Sequence, residues 1–175
     1  MVTLIVGGVG SGKSRYAQAL AQGSSSVVFI ATAQPIDDEM KLKIQRHRVQ
    51  RPSHWTTIEE PFELEAAIAQ SASSSSFLII DCITTFTANL IEKELARDDL
   101  LEKIDGICRA LRELKCSAAI VSNEVGSGIV PAFASGRTFR ELLGEANQKI
   151  ARVADNVLLM IAGCPLAVKG AASQL

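Results

Sequence analysis

Short apolar, β-branched runs alternate along this chain with longer segments of helical spacing. The runs Val2–Val6, Val27–Ala31, Phe77–Ile80, Ala118–Ser122 and Val157–Ile161 are compact and nearly continuous, as strands buried on both faces are. Between them, Ser14–Gln22, Asp37–Gln50, Pro61–Ala72, Thr84–Leu95, Leu100–Leu114 and Thr138–Val153 return apolar residues at a helix's period. Trp55–Ile58 adds a short extended piece at a sheet edge. Hydrophobic strands separated by helices predict an α/β fold, a mostly parallel sheet with helices on both faces. The polar run Ser71–Ser76 joins parts of the same alternation, so residues 1–169 read as one domain, with Gly170–Leu175 as a frayed tail.

Composition narrows the classes. At 175 residues, 47% hydrophobic and 21% charged, the chain is long and apolar enough for a globular core. A formal net charge of −1 supplies no field for nucleic acid or an anionic membrane. Basic residues do gather between Lys41 and Arg51, which suits a phosphate-bearing small molecule. Cys82, Cys108, Cys116 and Cys164 lie far apart with no CxxC pair, the usage of a reducing compartment. The first apolar run has no charged leader and ends in glycines, and no stretch reaches the roughly 18–20 apolar residues of a membrane span. A soluble, cytoplasmic protein is expected.

The sharpest chemistry lies at Gly7–Gly8–Val9–Gly10–Ser11–Gly12–Lys13–Ser14, which matches G-x-x-x-x-G-K-[ST] between a strand and a helix. Glycines let the loop curl until backbone N–H groups converge on phosphate oxygens, and the helix N-terminus adds partial positive charge. Lys13 would reach the β- and γ-phosphates of ATP or GTP, and the Ser14 hydroxyl would take a place on Mg²⁺. A dinucleotide-binding G-x-G-x-x-G fails, because counting from Gly8 its last glycine falls on Lys13. Phe77–Ile80 then runs into Asp81, a carboxylate placed to hold the same Mg²⁺ or, alternatively, to cap the helix that follows. The strand Ala118–Ser122 leads into Asn123, Glu124 and a glycine-rich loop, which is either a ligand crevice of the kind built at the carboxyl edge of parallel sheets or simply a tight turn.

One of the two histidines stands in Gln45–Arg46–His47–Arg48–Val49–Gln50–Arg51. Met40, Ile44 and His47 follow i, i+4, i+7 spacing and share a helix face, with the arginines flanking it. A histidine so placed is ordinarily a packed or solvated residue. Here the preceding strand is expected to end on the edge that carries the phosphate loop, and the arginines supply charge for further phosphates. A neutral imidazole nitrogen there would attack the α-phosphorus of a nucleoside triphosphate, expel pyrophosphate and form a phosphoramidate. His54, beside Pro52 and Ser53, reads as a structural loop residue.

Taken in order from Leu4 to Lys169, the segments "GGVGSGKSRYAQ", "IATAQPIDDEM", "RHRVQRPSHWTTIEEP", "IIDCIT", "SNEVGSGIVP", "FRELLGEANQKIA" and "IAGCPLAVK" resemble the bifunctional adenosylcobinamide kinase / adenosylcobinamide-phosphate guanylyltransferase family of cobalamin biosynthesis. The phosphate loop is common to many folds; its combination with the "DDEM…RHR…HWTTIEE" and "NEVGSGIVP" segments is far more specific. The resemblance implies a RecA-like P-loop NTPase fold and two reactions. ATP or GTP phosphorylates the aminopropanol hydroxyl of adenosylcobinamide; GTP then guanylylates a histidine, and GMP passes to the phosphorylated corrinoid. The family's histidine falls on His47, and its nucleotide-contacting positions fall on Gly7 to Ser14, Thr32, Ala33, Gln34, Arg48, Val49, Gln50, Arg51, Glu59 and Asp81. Some family members carry glutamate where this chain has Asp81, and Phe86 stands where many carry tryptophan. A homotrimer with active sites between subunits is also implied.

The residues alone leave two other readings open: a small-molecule P-loop kinase without nucleotidyl transfer, and a non-enzymatic nucleotide-gated binding module.

Overall fold

A computed structural model of the protein describes residues 1–49, 51–72 and 75–172. Seven strands form one sheet: β1 (Val2–Gly7), β2 (Val27–Ala31), β3 (Thr56–Glu59), β4 (Phe77–Asp81), β5 (Ser117–Asn123), β6 (Asn156–Ile161) and β7 (Cys164–Lys169). Their order is β3-β2-β4-β5-β1-β6-β7, and every pairing among the first six is parallel. The expected α/β class holds, and its functional consequence is direct. The carboxyl ends of six strands emerge on one edge, so the segments after β1, β2, β4 and β5 are neighbours there.

The helices are α1 (Lys13–Leu20), α2 (Asp38–Val49), α3 (Leu64–Ser71), α4 (Ile83–Glu92), α5 (Arg97–Glu113) and α6 (Ala134–Val153). Strand side chains alternate between two cores. Leu4, Val28, Ile30, Leu78, Ile80 and Ile120 point to the face covered by α3, α4, α5 and α6. Ile5, Phe29, Ile79, Val121 and Leu158 point to the other, where Tyr16, Ala17 and Ala21 of α1 and its end join Trp55. Among the described residues, helix α2 shares no extensive contact with any other element.

Several boundaries differ from the periodicity for local reasons. Helix α3 starts at Leu64 because the Glu60 carboxylate accepts the N–H groups of Phe62 and Glu63, holding those residues in a turn. Helix α4 stops at Glu92, since Glu94 takes a left-handed φ of 56°. Helix α6 begins four residues early, at Ala134, where Arg137 donates to the Pro131 and Ala132 carbonyls.

Strand β7 was not expected. Ala162 (φ 51°) and Gly163 (φ 84°) make a two-residue turn with both φ positive, which sends the chain back antiparallel to β6. Beyond it, the Ala171 N–H donates to the Asn156 side chain and Ala172 packs on the second core, so this part of the tail is held; residues 173–175 lie outside the described residues. No helix among the described residues is long and apolar enough to cross a membrane.

Candidate active site

The phosphate loop is built where β1 ends. Gly7 passes so close to β6 that a Cβ on it would lie 2.6 Å from the Met160 carbonyl oxygen. Gly12, at φ 95°, turns the chain into α1 in a conformation that side chains other than glycine's rarely allow. The loop's own carbonyls are drawn into bonds with its neighbours. Gly7 accepts from the Glu124 N–H at 3.1 Å, and Ser11 accepts from the Gly163 N–H at 3.0 Å. Lys13 is buried, and its ammonium donates to the carbonyls of Gly7 at 2.9 Å and Gly8 at 2.6 Å. A buried ammonium is tolerable only with such acceptors, and these hold the charge inside the curl of the loop.

Asp81 is the point on which the site converges. The Ser14 hydroxyl bonds its carboxyl, and the charges of His47, Arg51 and Lys13 act on it. Burial pushes the Asp81 carboxyl above the ordinary aspartate range; the Ser14 bond, then His47, Arg51 and Lys13, pull it back only in part. Asp81 does not cap α4. That role belongs to Cys82, whose sulfur accepts the Thr85 N–H and meets the Thr85 hydroxyl. Burial, then the Asp81 charge, raises the Cys82 thiol, which keeps it protonated and suited to capping.

Helix α2 brings His47 to this edge. Asp37 caps it, accepting the Met40 N–H at 2.7 Å, and Asp38 and Glu39 complement the positive end of its dipole. Met40, Ile44 and His47 are its half-buried positions among the described side chains, so the face read from spacing is the inward one. The three arginines separate. Arg51 turns in toward Asp81, its Cζ 3.7 Å from the centroid of the Phe29 ring. Burial lowers its guanidinium, Asp81 opposes that, Arg48 adds to it and Glu59 opposes it again. Arg48 pairs with Glu59 at the end of β3, N–O 3.2 Å, with both side chains largely exposed. Arg46 leans back on the Leu42 carbonyl.

Other positions singled out from the sequence are placed as follows. Thr32 is fully buried, its hydroxyl donating to the Cys82 carbonyl at 2.7 Å and accepting the Cys82 N–H at 2.9 Å. It thereby ties the end of β2 to that of β4 beside Asp81. Ala33 and Gln34 follow it, half-buried. Val49 is not brought to the others; it lines a shallow depression with Leu42, Gln45 and Arg46 on the outer face of α2. Gln50 lies outside the described residues. Glu124 organises its own loop by accepting the Gly126 and Ser127 N–H groups. Burial pushes its carboxyl up, but the Ser127 side chain, those N–H groups and the Arg140 charge outweigh it, so the carboxyl lies below the ordinary glutamate range. His54 is exposed beside a small cleft lined by Ser25, Ser26 and Gln70, away from this cluster.

Two residues escaped the sequence reading. Asn89, buried in α4, donates to the Thr32 carbonyl at 2.8 Å and the Pro61 carbonyl at 3.2 Å, joining the segments after β2 and β3. Its signal was an amide on the apolar face that also carries Phe86 and Leu90. Phe29 gave no signal, because every residue of β2 reads as core.

The arrangement offers hard oxygen donors, a buried ammonium, a guanidinium and an imidazole around one carboxylate. No group of three or more His, Cys, Asp or Glu gathers among the described residues. The Ser14 hydroxyl and Asp81 carboxylate form an oxygen pair, a donor set whose chemistry fits Mg²⁺ completed by phosphates and water. The buried Arg51 Nε has no hydrogen-bond partner among the described residues, a donor that suits a phosphate oxygen.

Comparison with known proteins points the same way. Residues 3–168 match the sequence model of a family described as cobinamide kinase / cobinamide phosphate guanyltransferase. The bifunctional adenosylcobalamin biosynthesis protein CobP of Pseudomonas aeruginosa is 40% identical over 175 residues, covering 97% of this chain and 98% of the relative. The corresponding CobU proteins of Salmonella typhimurium and Escherichia coli are 36% and 34% identical, each over 97% of this chain and 100% of the relative. Among solved structures, a KaiC-like protein of Pyrococcus horikoshii superimposes with a TM-score of 0.52 at 14% identity, covering 90% of this chain and 69% of that one. The RadB recombinase gives 0.52 at 16%, covering 90% and 73%. These two establish the RecA-like P-loop fold and nothing about substrates.

Proposed function

This chain belongs to the cobinamide kinase / cobinamide phosphate guanyltransferase family, and from that premise we propose that it performs two reactions at the carboxyl edge of its sheet. It phosphorylates adenosylcobinamide with ATP or GTP, then transfers GMP from GTP by way of guanylyl-His47 to give adenosylcobinamide-GDP. The observation that carries this reading is the convergence of Lys13, Ser14, His47 and Arg51 on Asp81.

In the first step the aminopropanol hydroxyl oxygen attacks the γ-phosphorus, the bridge bond to the β-phosphate breaks, and its electron pair leaves on the nucleoside diphosphate. The hydroxyl proton is released with it. Lys13 and the loop N–H groups offset the charge that builds on the β–γ bridge. In the second step a neutral His47 ring nitrogen attacks the α-phosphorus, and the bond to the bridging oxygen breaks to release pyrophosphate. A phosphate oxygen of the corrinoid then attacks the same phosphorus, the N–P bond breaks, and the imidazole is regenerated. Arg51, whose charge acts on Asp81, steadies the phosphates during both displacements. Ser14 and Asp81 would hold Mg²⁺, which when bound supplies charge neutralisation for the phosphates. Glu59 acts through Arg48, and Thr32 to Gln34 shape the nucleotide's surroundings. The proposal also places the enzyme in the cytoplasm, where both nucleotides are made, as a homotrimer whose mass light scattering would register.

GTP labelled at the α-phosphate is expected to attach covalently to the wild-type protein and not to His47→Ala. The same variant is expected to retain transfer of a γ-label to adenosylcobinamide. Label that persists in His47→Ala, or none in the wild type, would overturn the covalent route.

A further inference from the structure

We propose that Phe29 is a positioning residue for nucleotide binding: its buried ring sets the plane of the Arg51 guanidinium, and that set orientation, beyond the positive charge itself, determines affinity for the triphosphate. The inference rests on the reading of Arg51 as a phosphate ligand. Phe29 lies at the centre of β2, fully buried, in register with Thr57 of β3 and Ile79 of β4. On that face of the sheet a phenylalanine needs only apolar neighbours, and Ile79, its register partner on β4, belongs to the same apolar cluster. What packs over the ring instead is a charge, with Arg51 Cζ 3.7 Å from its centroid.

Arg51 comes from the irregular segment between α2 and β3, so no helix or strand orients it. Its Nε is buried without a hydrogen-bond partner among the described residues, so no bond from that atom fixes the guanidinium plane. The electrostatic neighbours are Asp81, Arg48 and Glu59, which act on its charge but specify no plane. A flat guanidinium stacked on an aromatic face, by contrast, is confined to one orientation and keeps its outer N–H groups free for bidentate contact with a phosphate. Lysine, with a compact ammonium on a flexible stem, would keep the charge and lose the fork. Phe29 thus belongs to the site through Arg51 and touches no reacting atom itself.

A double-mutant cycle on GTP affinity tests this, using calorimetric titration of the full-length wild type, Arg51→Ala, Phe29→Leu and the double variant. Arg51→Ala and Phe29→Leu are each expected to weaken GTP binding about tenfold, and the double variant to bind within about twofold of Arg51→Ala alone. Any general loosening caused by Phe29→Leu would instead weaken both backgrounds by the same factor, and that result overturns the proposal. Unchanged affinity in Phe29→Leu, with Arg51→Ala weakened, overturns it too while leaving Arg51 as a phosphate ligand. Unchanged affinity in Arg51→Ala overturns the ligand reading itself. If Phe29→Leu fails to fold, Arg51→Lys decides the matter: full GTP affinity there overturns the proposal, and a loss near that of Arg51→Ala supports it.

Discussion

Lys13 and His47 both act on the Asp81 carboxyl, but the elements that deliver them differ in nearly every respect. Lys13 follows β1, a strand paired on both sides by β5 and β6 and lying between two cores. The loop that carries it is pinned by the N–H of Glu124, the residue after β5, and from the β6–β7 turn by the Gly163 N–H. His47 rides on α2, a twelve-residue helix with three half-buried side chains among those described and with Leu42 and Val49 turned to solvent. Burial of apolar surface dominates folding energetics, whereas exposed ion pairs are worth about 0–1 kcal/mol each. The phosphate cradle is therefore part of the core's own stability, while the histidine's position depends on a cap, a short loop and a few weak contacts. Elements with few buried contacts occupy the low end of the range of local stabilities.

The contrast can be broken most decisively at Gly7. A methyl group there meets the Met160 carbonyl at 2.6 Å and the Ser11 hydroxyl at 2.9 Å, so β1 and β6 must separate or the loop must shift. Gly7→Ala is expected to cost about 2–4 kcal/mol in urea unfolding and to remove nucleotide binding. Leu42→Ala on α2, where the side chain is 57% exposed, is expected to change stability by no more than about 0.5 kcal/mol. Equal costs at the two sites would end the distinction.

Asp81 sharpens it through pH. Because burial raises its pKa, the folded state binds the proton more readily than the unfolded chain does. The stability this contributes is fully present below the ordinary aspartate value of 3.8 and is lost as pH rises through the raised value. Asp81→Asn is therefore expected to melt above the wild type at neutral pH, with the advantage vanishing in acid, while both transfer activities fall at least about 100-fold. A variant less stable than wild type at neutral pH would mean that the charges of His47, Arg51 and Lys13 outweigh burial.

The smallest effect is expected where α2 meets β3. The Arg48–Glu59 pair is exposed by 65% and 57%, and Glu59→Gln is expected to lower stability by less than about 0.5 kcal/mol in thermal melts. A loss above about 1 kcal/mol would show that α2 is held more firmly than its surface suggests.

Much of this architecture was legible in the residues. Five buried strands announced themselves because parallel strands are covered on both faces and carry no polar alternation, and the phosphate loop because its glycines and lysine have one shared physical use. The inward face of α2 followed from spacing. Strand β7 escaped, since Pro165 and small residues give it no strand signature and its turn depends on Ala162 accepting a positive φ. The sequence left Asp81 open between metal ligand and helix cap, and only the position of Cys82 decided which residue does the capping.

By itself, then, the sequence determined the alternation of strand and helix and the glycine-rich loop that follows β1, because periodicity and local turn geometry act over a few neighbouring positions. Tertiary structure decided which residues meet. It turned Thr32 inward against Cys82, sent Val49 outward, separated the arginines at 46, 48 and 51, and set Arg51 on Phe29 beside Asp81. The contacts of Thr32 with Cys82 and of Arg51 with Phe29 and Asp81 join residues more than twenty positions apart, where packing and desolvation act and no local pattern records them.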